Sequence, residues 1–383
     1  MFIPLQHAKF SLDVSGIAGF FGGEESFAAM SSVHLIRGRR FFGWYNSPGS
    51  YFVAKKYGTL CHRRIWKGLF PGETVDPEEM LGLDGRIGPQ YIGTQSGTTM
   101  LTTGHLAYLL TQYCKHLAET EQKPGMKLTI FDKLNNEAIE KFLDSQKTNG
   151  LPVNSLSTAG IIWMSLTISA SLGAAIVSAV LWHDWPCFAA IFVGIICNGV
   201  SCLVLGSGKL RLNVPNPSSH SPPGDGIFWY DSQAVLITGG SEVISEKAIS
   251  ILTRGKFQLF YPQDKDYNYI GIVAFMLTVQ VLAQLFLLPQ ATLIGQILFL
   301  FSFAVSWAYN AYLASMDREQ LQIDLLRNIL GNPVPLNLGS SRIRRTVAVV
   351  ASAFYLKPFN ALGYLSHLLP NDTPVWTPWK EHI

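Results

Sequence analysis

Chemistry in this chain would have to come from a few short constellations. The stretch VLITGGSEVISEKAI at 235–249 runs from a strand into a helix through Gly239 and Gly240, and amides at a helix start can bind an anion. It lacks the GxGxxG spacing of a dinucleotide site. It reads as a turn followed by an N-cap at Ser241, with Glu242 favourable to the helix dipole. GSGK at 206–209 is not a phosphate loop, because Leu210 stands where Ser or Thr is required, and it reads as the end of an apolar helix. No GxSxG nucleophile elbow is present. His62, His105 and His116 with Cys61 and Cys114 are the remaining candidates for a base, nucleophile or metal site. His105 and His116 are three helical turns apart, about 16 Å by helix rise, too far to share one metal. Packing or surface histidines are the simpler reading, so no catalytic residue, cofactor or metal is assigned. HLIRGRRFF at 34–42 and CHRRIWK at 61–67 place cations beside aromatics. That suits a membrane surface, an anionic partner or internal pairs.

The elements that must hold such residues are mostly apolar. Of 383 residues, 48% are hydrophobic and 14% charged, with a mean hydropathy of +0.22, where soluble domains carry about 25% charge. The net charge of +3 and scattered basic residues argue against a nucleic-acid partner. Five cysteines without CxxC spacing give neither a disulfide framework nor a zinc site. The N-terminus shows no signal-peptide pattern.

Four stretches reach the roughly 20 apolar residues that a membrane helix needs: about 159–182, 186–206, 269–288 and 291–314. None contains Asp, Glu, Lys or Arg, and aromatic residues stand near their ends, as expected at headgroup level. The connections around His183 and Pro289 are too short for anything but two tight hairpins. All 29 Lys and Arg residues lie outside the spans and none at a hairpin tip. The positive-inside rule therefore places both termini and the middle segment in the cytosol. The expected fold is a membrane protein of two transmembrane helical hairpins, four spans, with a cytosolic α+β domain. Its parts are an N-terminal cytosolic α+β region at 1–158, hairpin one at 159–206, a cytosolic β-β-α-β segment at 207–268, hairpin two at 269–314 and a cytosolic helical tail at 315–383.

Two rows of small residues four apart predict close helix packing: Ser165, Ser169 and Gly173 on the first span, and Gly194, Asn198, Cys202 and Gly206 on the second. Gln284 and Gln296 lie at similar depth and could hydrogen-bond. With no ionisable residue in any span, a coupled transporter is disfavoured.

Outside the spans, 25–36 reads as a helix ending near Gly38, and FFGWYNSPGSYFV as two strands around an Asn-Ser-Pro-Gly turn. Residues 104–121 and 135–146 have helical periodicity. After a strand at 209–215 and a flexible Pro/Ser-rich loop come IFWYD, AVLITGG, a helix at 241–252 and KFQLFYP, a compact β-β-α-β unit. The fourth span is expected to continue as a helix through DREQLQIDLLRNIL to Gly331, Asn332 and Pro333. TVAVVASAFYL, preceded by Arg342, Arg344 and Arg345, fits an interfacial or a buried helix equally.

LTRGKF at 252–257 and LLPNDTPVWTPWK at 368–380 resemble segments of uncharacterised multi-span membrane proteins of filamentous fungi. The resemblance covers two short segments and the order of spans. It implies a fungal origin and a link to natural-product metabolism, and carries over no site residue. The function expected is a membrane-anchored, cytosol-facing module holding a lipophilic small molecule or a protein partner at the lipid bilayer. A cyclase or isomerase acting on a lipophilic metabolite, and a subunit of a membrane complex, are the alternatives.

Overall fold

The computed structural model describes residues 21–73, 75–93, 98–120, 126–132, 139, 144, 154–215, 225–230, 233–238, 246–261, 267–333, 335–340, 345–349 and 368–382. Its helices are α1 (Gly23–Ser31), α2 (Ser50–Gly58), α3 (Arg64–Leu69), α4 (Pro77–Met80), α5 (His105–Thr120), α6 (Thr158–Trp182), α7 (Trp185–Leu205), α8 (Glu246–Arg254), α9 (Asn268–Leu287), α10 (Leu293–Ala314), α11 (Arg318–Ile329) and α12 (Trp376–His382). Its strands are β1 (Ile36–Arg37), β2 (Gln90–Gly93), β3 (Thr99–Met100), β4 (Met126–Asp132), β5 (Asn154–Ser155), β6 (Lys209–Asn213), β7 (Gly226–Tyr230), β8 (Gln233–Thr238), β9 (Lys256–Phe260) and β10 (Leu336–Ser340). The chain divides into two compact units, 1–77 with 152–209 and 259–318, and 78–151 with 210–258 and 319–383.

The first unit holds the four helices long and apolar enough to cross a membrane, α6, α7, α9 and α10. Their ends follow from local chemistry. The Ser157 hydroxyl caps α6, the Asp184 carboxylate caps α7 and the Thr292 hydroxyl caps α10, each satisfying an amide that the first turn leaves open. Asp184 does more, since its other oxygen accepts from both the backbone N and Oγ1 of Thr292 at 2.7 Å. One buried carboxylate thus ties the turn before α7 to the turn before α10. Helix α6 packs on α7 and α10, α9 packs on α7, and the short helices α1 and α2 pack on α10 and α9.

The N-terminal segment departs from the sequence reading. The helix expected over 25–36 is α1, followed by a 3-10 turn at Ser32–His34 and then β1, which pairs in parallel with β5. FFGWYNSPGSYFV forms no strand pair. Residues 42–49 are irregular and lead into α2, because Gly49 at φ +71 turns the chain into the helix and the neighbours are helices rather than a strand edge.

The second unit is built on a six-stranded sheet of order β10-β4-β8-β7-β2-β3. Strands β4 and β8 run parallel, with Leu128 opposite Ala234, and the other pairs are antiparallel. Ile92, Ile130, Ile227, Ala234 and Leu236 form one core with Val347, Ala348, Leu368 and Leu369. Helix α5 falls where its periodicity predicts, and it packs on α8, β7 and β8. The β-β-α-β segment is not one sheet: β7 and β4 occupy both edges of β8, so β9 pairs with β6 in a separate two-stranded sheet. The fourth long helix does not run on either. It stops at Ala314, and α11 starts afresh at Arg318 before Gly331 and Asn332, both at positive φ, end it as expected. All of the helix predicted at 135–146 except Ile139 and Asp144, the Pro/Ser-rich loop, Gly239 to Ser241 and most of 346–356 lie outside the described residues.

Candidate functional site

Each of the four long helices carries amide or hydroxyl side chains at mid-length, and these converge on residues 43–50. The Asn198 amide of α7 donates to the Gly43 carbonyl at 2.7 Å, and the Asn46 backbone N donates to Ser171 Oγ of α6 at 3.2 Å. The Asn46 carboxamide donates to Ser302 Oγ of α10 at 2.9 Å and accepts from Gln284 Nε2 of α9 at 3.3 Å. Gln280 Nε2 donates to Ser50 Oγ at 3.0 Å. Tyr45 donates to Asn310 Oδ1 at 2.9 Å, while Asn310 Nδ2 reaches Ser26 and Ser47, both at 3.0 Å. An irregular backbone buried among apolar helices must find such partners, because each orphan amide or carbonyl costs about 1–3 kcal/mol. Gln280 Oε1, Gln284 Oε1 and Ser306 Oγ are buried without a partner among the described residues.

Close approach is what makes the network reachable. A Cβ built on Gly194 would run into the Asn46 carboxamide, one on Gly43 into Cys202, and one on Gly206 into Arg40 and Val33. The row Gly194, Asn198, Cys202 and Gly206 is therefore a packing face, but its partner is the segment 33–46. The other row faces outward. Ser165 and Ser169 are exposed and nothing lies within 4 Å of a Cβ at Gly173, while α6 buries Met164, Thr167, Ser171, Ala174 and Ser178 instead. Gln284 and Gln296 do not bond to each other. Gln284 is taken by Asn46 and the Ala190 carbonyl, and Gln296 donates to the Leu288 and Ala291 carbonyls.

Arg39 brings the charge that the four long apolar helices lack. It is 2% exposed, and its guanidinium donates to the Ala29 carbonyl at 3.1 Å, Ser32 Oγ at 3.1 Å and the Tyr309 hydroxyl at 3.3 Å. It also lies 5.6 Å from the centre of the Tyr309 ring. These partners are the last turn of α1, hydroxyls and a π face; no ion pair of Arg39 is present among the described residues. Arg39 lines a cavity of about 10 Å³ with Ser26, Tyr45, Ser47, Ser50 and Asn198, room for about one water-sized occupant. The starts of α1 and α2 meet beside it, since a Cβ on Gly49 would strike the backbone of Gly22 and Gly23. The positive ends of two nine-residue helices thus lie close together.

The titratable candidates read from the sequence do not form a centre. Cys61 donates to the Tyr267 carbonyl and His62 stacks edge-on to the Tyr267 ring. In the other unit His105 is buried against Gln322 Oε1 at 2.8 Å, and Gln322 is held in turn by the Gly82 carbonyl. Tyr108, stacked on His105, donates to Glu319, which also pairs with exposed Arg86. Burial pushes the Cys114 thiol up to about 12, so it is no ready thiolate. His116 is exposed on the last turns of α5. No group of three metal-ligating side chains occurs among the described residues.

Sequence reasoning missed Arg39 and Asn46 as core residues. The signals were there: Asn198, Gln280, Gln284, Gln296 and Asn310 are more amides than two hairpins can use between themselves, and no Asp or Glu occurs from Ser26 to Gly72. Comparison with family models, curated proteins and solved structures finds no match to the chain. The fungal resemblance stays an expectation of the sequence alone.

Proposed function

We propose that the chain is an integral membrane protein whose four apolar helices cross the bilayer as two hairpins, with both termini and the sheet-bearing unit in the cytosol. Residues 21–58 then form a re-entrant segment that reaches mid-bilayer and returns. Non-helical backbone at such depth is tolerated where protein buries it or where it lines a polar path, and an ionisable group there marks a functional site by default. The function that follows is binding and passage of a small neutral polar solute. Arg39 and the amide ends of α1 and α2 repel cations, while Ser26, Ser47, Ser50 and Asn198, which line the cavity, replace the solute's water. The observation that carries this reading is the convergence of polar groups from all four helices on residues 43–50.

The test is osmotic shrinkage of proteoliposomes, read by stopped-flow light scattering with water, urea and glycerol as probes. Liposomes with the protein should respond faster than empty ones to at least one probe. Ser47→Trp, which fills the cavity, should remove the gain, with the thermal midpoint reporting whether the fold survives. Equal rates for protein-bearing and empty liposomes with all three probes would contradict the reading.

A docking role for the cytosolic unit has its own support. Ile87 and Leu101 are 72% and 79% exposed, as an apolar ligand or partner would require. Ile87→Glu should then break partner binding and leave solute flux unchanged.

A further inference from the structure

From Ser26 to Gly72 the sequence holds eight cations, Arg37, Arg39, Arg40, Lys55, Lys56, Arg63, Arg64 and Lys67, and no acidic residue. Only Arg39 is buried; the other seven are exposed. Three of them sit on or beside α3, which also presents Ile65 and Leu69 at 65% and 51% exposure. Ile65 and Leu69 are four apart and share a face. This apolar face is not a core face, for no residue of α3 is buried.

The position of α3 is fixed. Trp66 Nε1 donates to Asn268 Oδ1 at 3.1 Å, and the Trp66 ring lies where a Cβ on Gly271 would go. The helix is thereby held at the first turn of α9, where the apolar span begins. Phe70, packed on Gly58, holds its far end to α2. Two aliphatic side chains and three cations at the mouth of a span match the two layers of a bilayer surface, acyl boundary below and headgroups above.

We infer that Arg63, Arg64 and Lys67, with Ile65 and Leu69, form a binding site for an anionic phospholipid headgroup of the cytosolic leaflet. The inference rests on the membrane topology proposed above, and it is independent of the solute path. A cation at an anionic surface changes affinity roughly fivefold, so Arg64 and Lys67 together are worth about 25-fold.

The experiment titrates the full chain in maltoside micelles with dioctanoyl-phosphatidylserine and follows the thermal midpoint. Phosphatidylserine should raise the midpoint saturably, and dioctanoyl-phosphatidylcholine should not. Arg64→Gln/Lys67→Gln should weaken the apparent affinity about 25-fold while the lipid-free midpoint stays at the wild-type value. Arg64→Lys/Lys67→Arg should retain the response. A wild-type response in the neutralised variant, an equal shift from phosphatidylcholine, or an equal shift from inorganic phosphate would overturn the inference. Failure of the topology itself would look different, as a chain that stays soluble after detergent removal.

Discussion

Helices α6 and α7 each carry small residues four apart, and the two rows have opposite fates. On α7 the row Gly194, Asn198, Cys202 and Gly206 packs against residues 33–46 with no room for a Cβ at its glycines. On α6 the row Ser165, Ser169 and Gly173 faces away from the protein, and Ser165 spends its hydroxyl on the Ile161 carbonyl of its own helix. Spacing alone says that backbones can approach. It does not say that anything arrives, and on α7 what arrives is a segment that reads as an extramembrane hairpin.

The widest separation between the rows should come from filling their glycines. Gly194→Val drives a branched side chain into Asn46 and should destabilise by about 3 kcal/mol. The same change at Gly173 meets open space and should stay within about 0.5 kcal/mol. Thermal midpoints of the two variants in detergent measure the contrast, and equal shifts would erase it.

At the Gly206 end of the α7 row the comparison can be sharpened with pH. His34 stands on the segment that packs there, 6.4 Å edge-on from the Tyr261 ring. Burial lowers its pKa to about 4, with the Gly208 backbone pulling weakly upward. The unfolded chain, with an ordinary histidine, binds the proton first as pH falls. Stability from this group is therefore complete above about pH 6.5 and is lost towards pH 4, by up to about 3 kcal/mol. Melting profiles across that window should be flatter for His34→Gln than for the wild type.

Next in size is the partner of the row. Asn46→Ala leaves the Ser302 hydroxyl and the Gln284 amide short of a partner and should cost about 2 kcal/mol. Gln296→Leu should cost less than about 1 kcal/mol, because its partners are carbonyls of its own turn. Gln284→Leu should resemble Asn46→Ala, and additivity of Gln284→Leu with Asn46→Ala in a double-mutant cycle would mean that the two side chains are not coupled. The smallest effect belongs to the outward row, where Ser165→Ala/Ser169→Ala should leave the midpoint within about 0.5 kcal/mol of wild type.

What the sequence carried, and what it hid, follows from the kind of information each element needs. The four long helices and their ends are written locally, in uninterrupted apolar runs and in Ser157, Asp184 and Thr292 as caps. Helix α5 and strands β7 and β8 are equally local. The edge choice of β9 is not, because it depends on β4 already pairing with β8. The core segment was hidden for a related reason. Asn46, Ser47 and Pro48 have turn chemistry in isolation, and only the amides of distant helices reveal that the turn is buried among them. Arg39 was hidden because span charge was counted within the spans, while this cation enters from a neighbouring stretch of chain.

Thiol accessibility of residue 47 in intact membranes tests the central claim most directly. The native cysteines are buried, so a membrane-impermeant maleimide should find little background in sealed inside-out vesicles. Arg64→Cys, on the exposed face of α3, should label at once. Ser47→Cys should stay unlabelled from either face until the protein is denatured. Rapid labelling of Ser47→Cys from the cytosolic face, at the rate of the Arg64→Cys control, would put residues 43–50 outside the bundle and contradict the account.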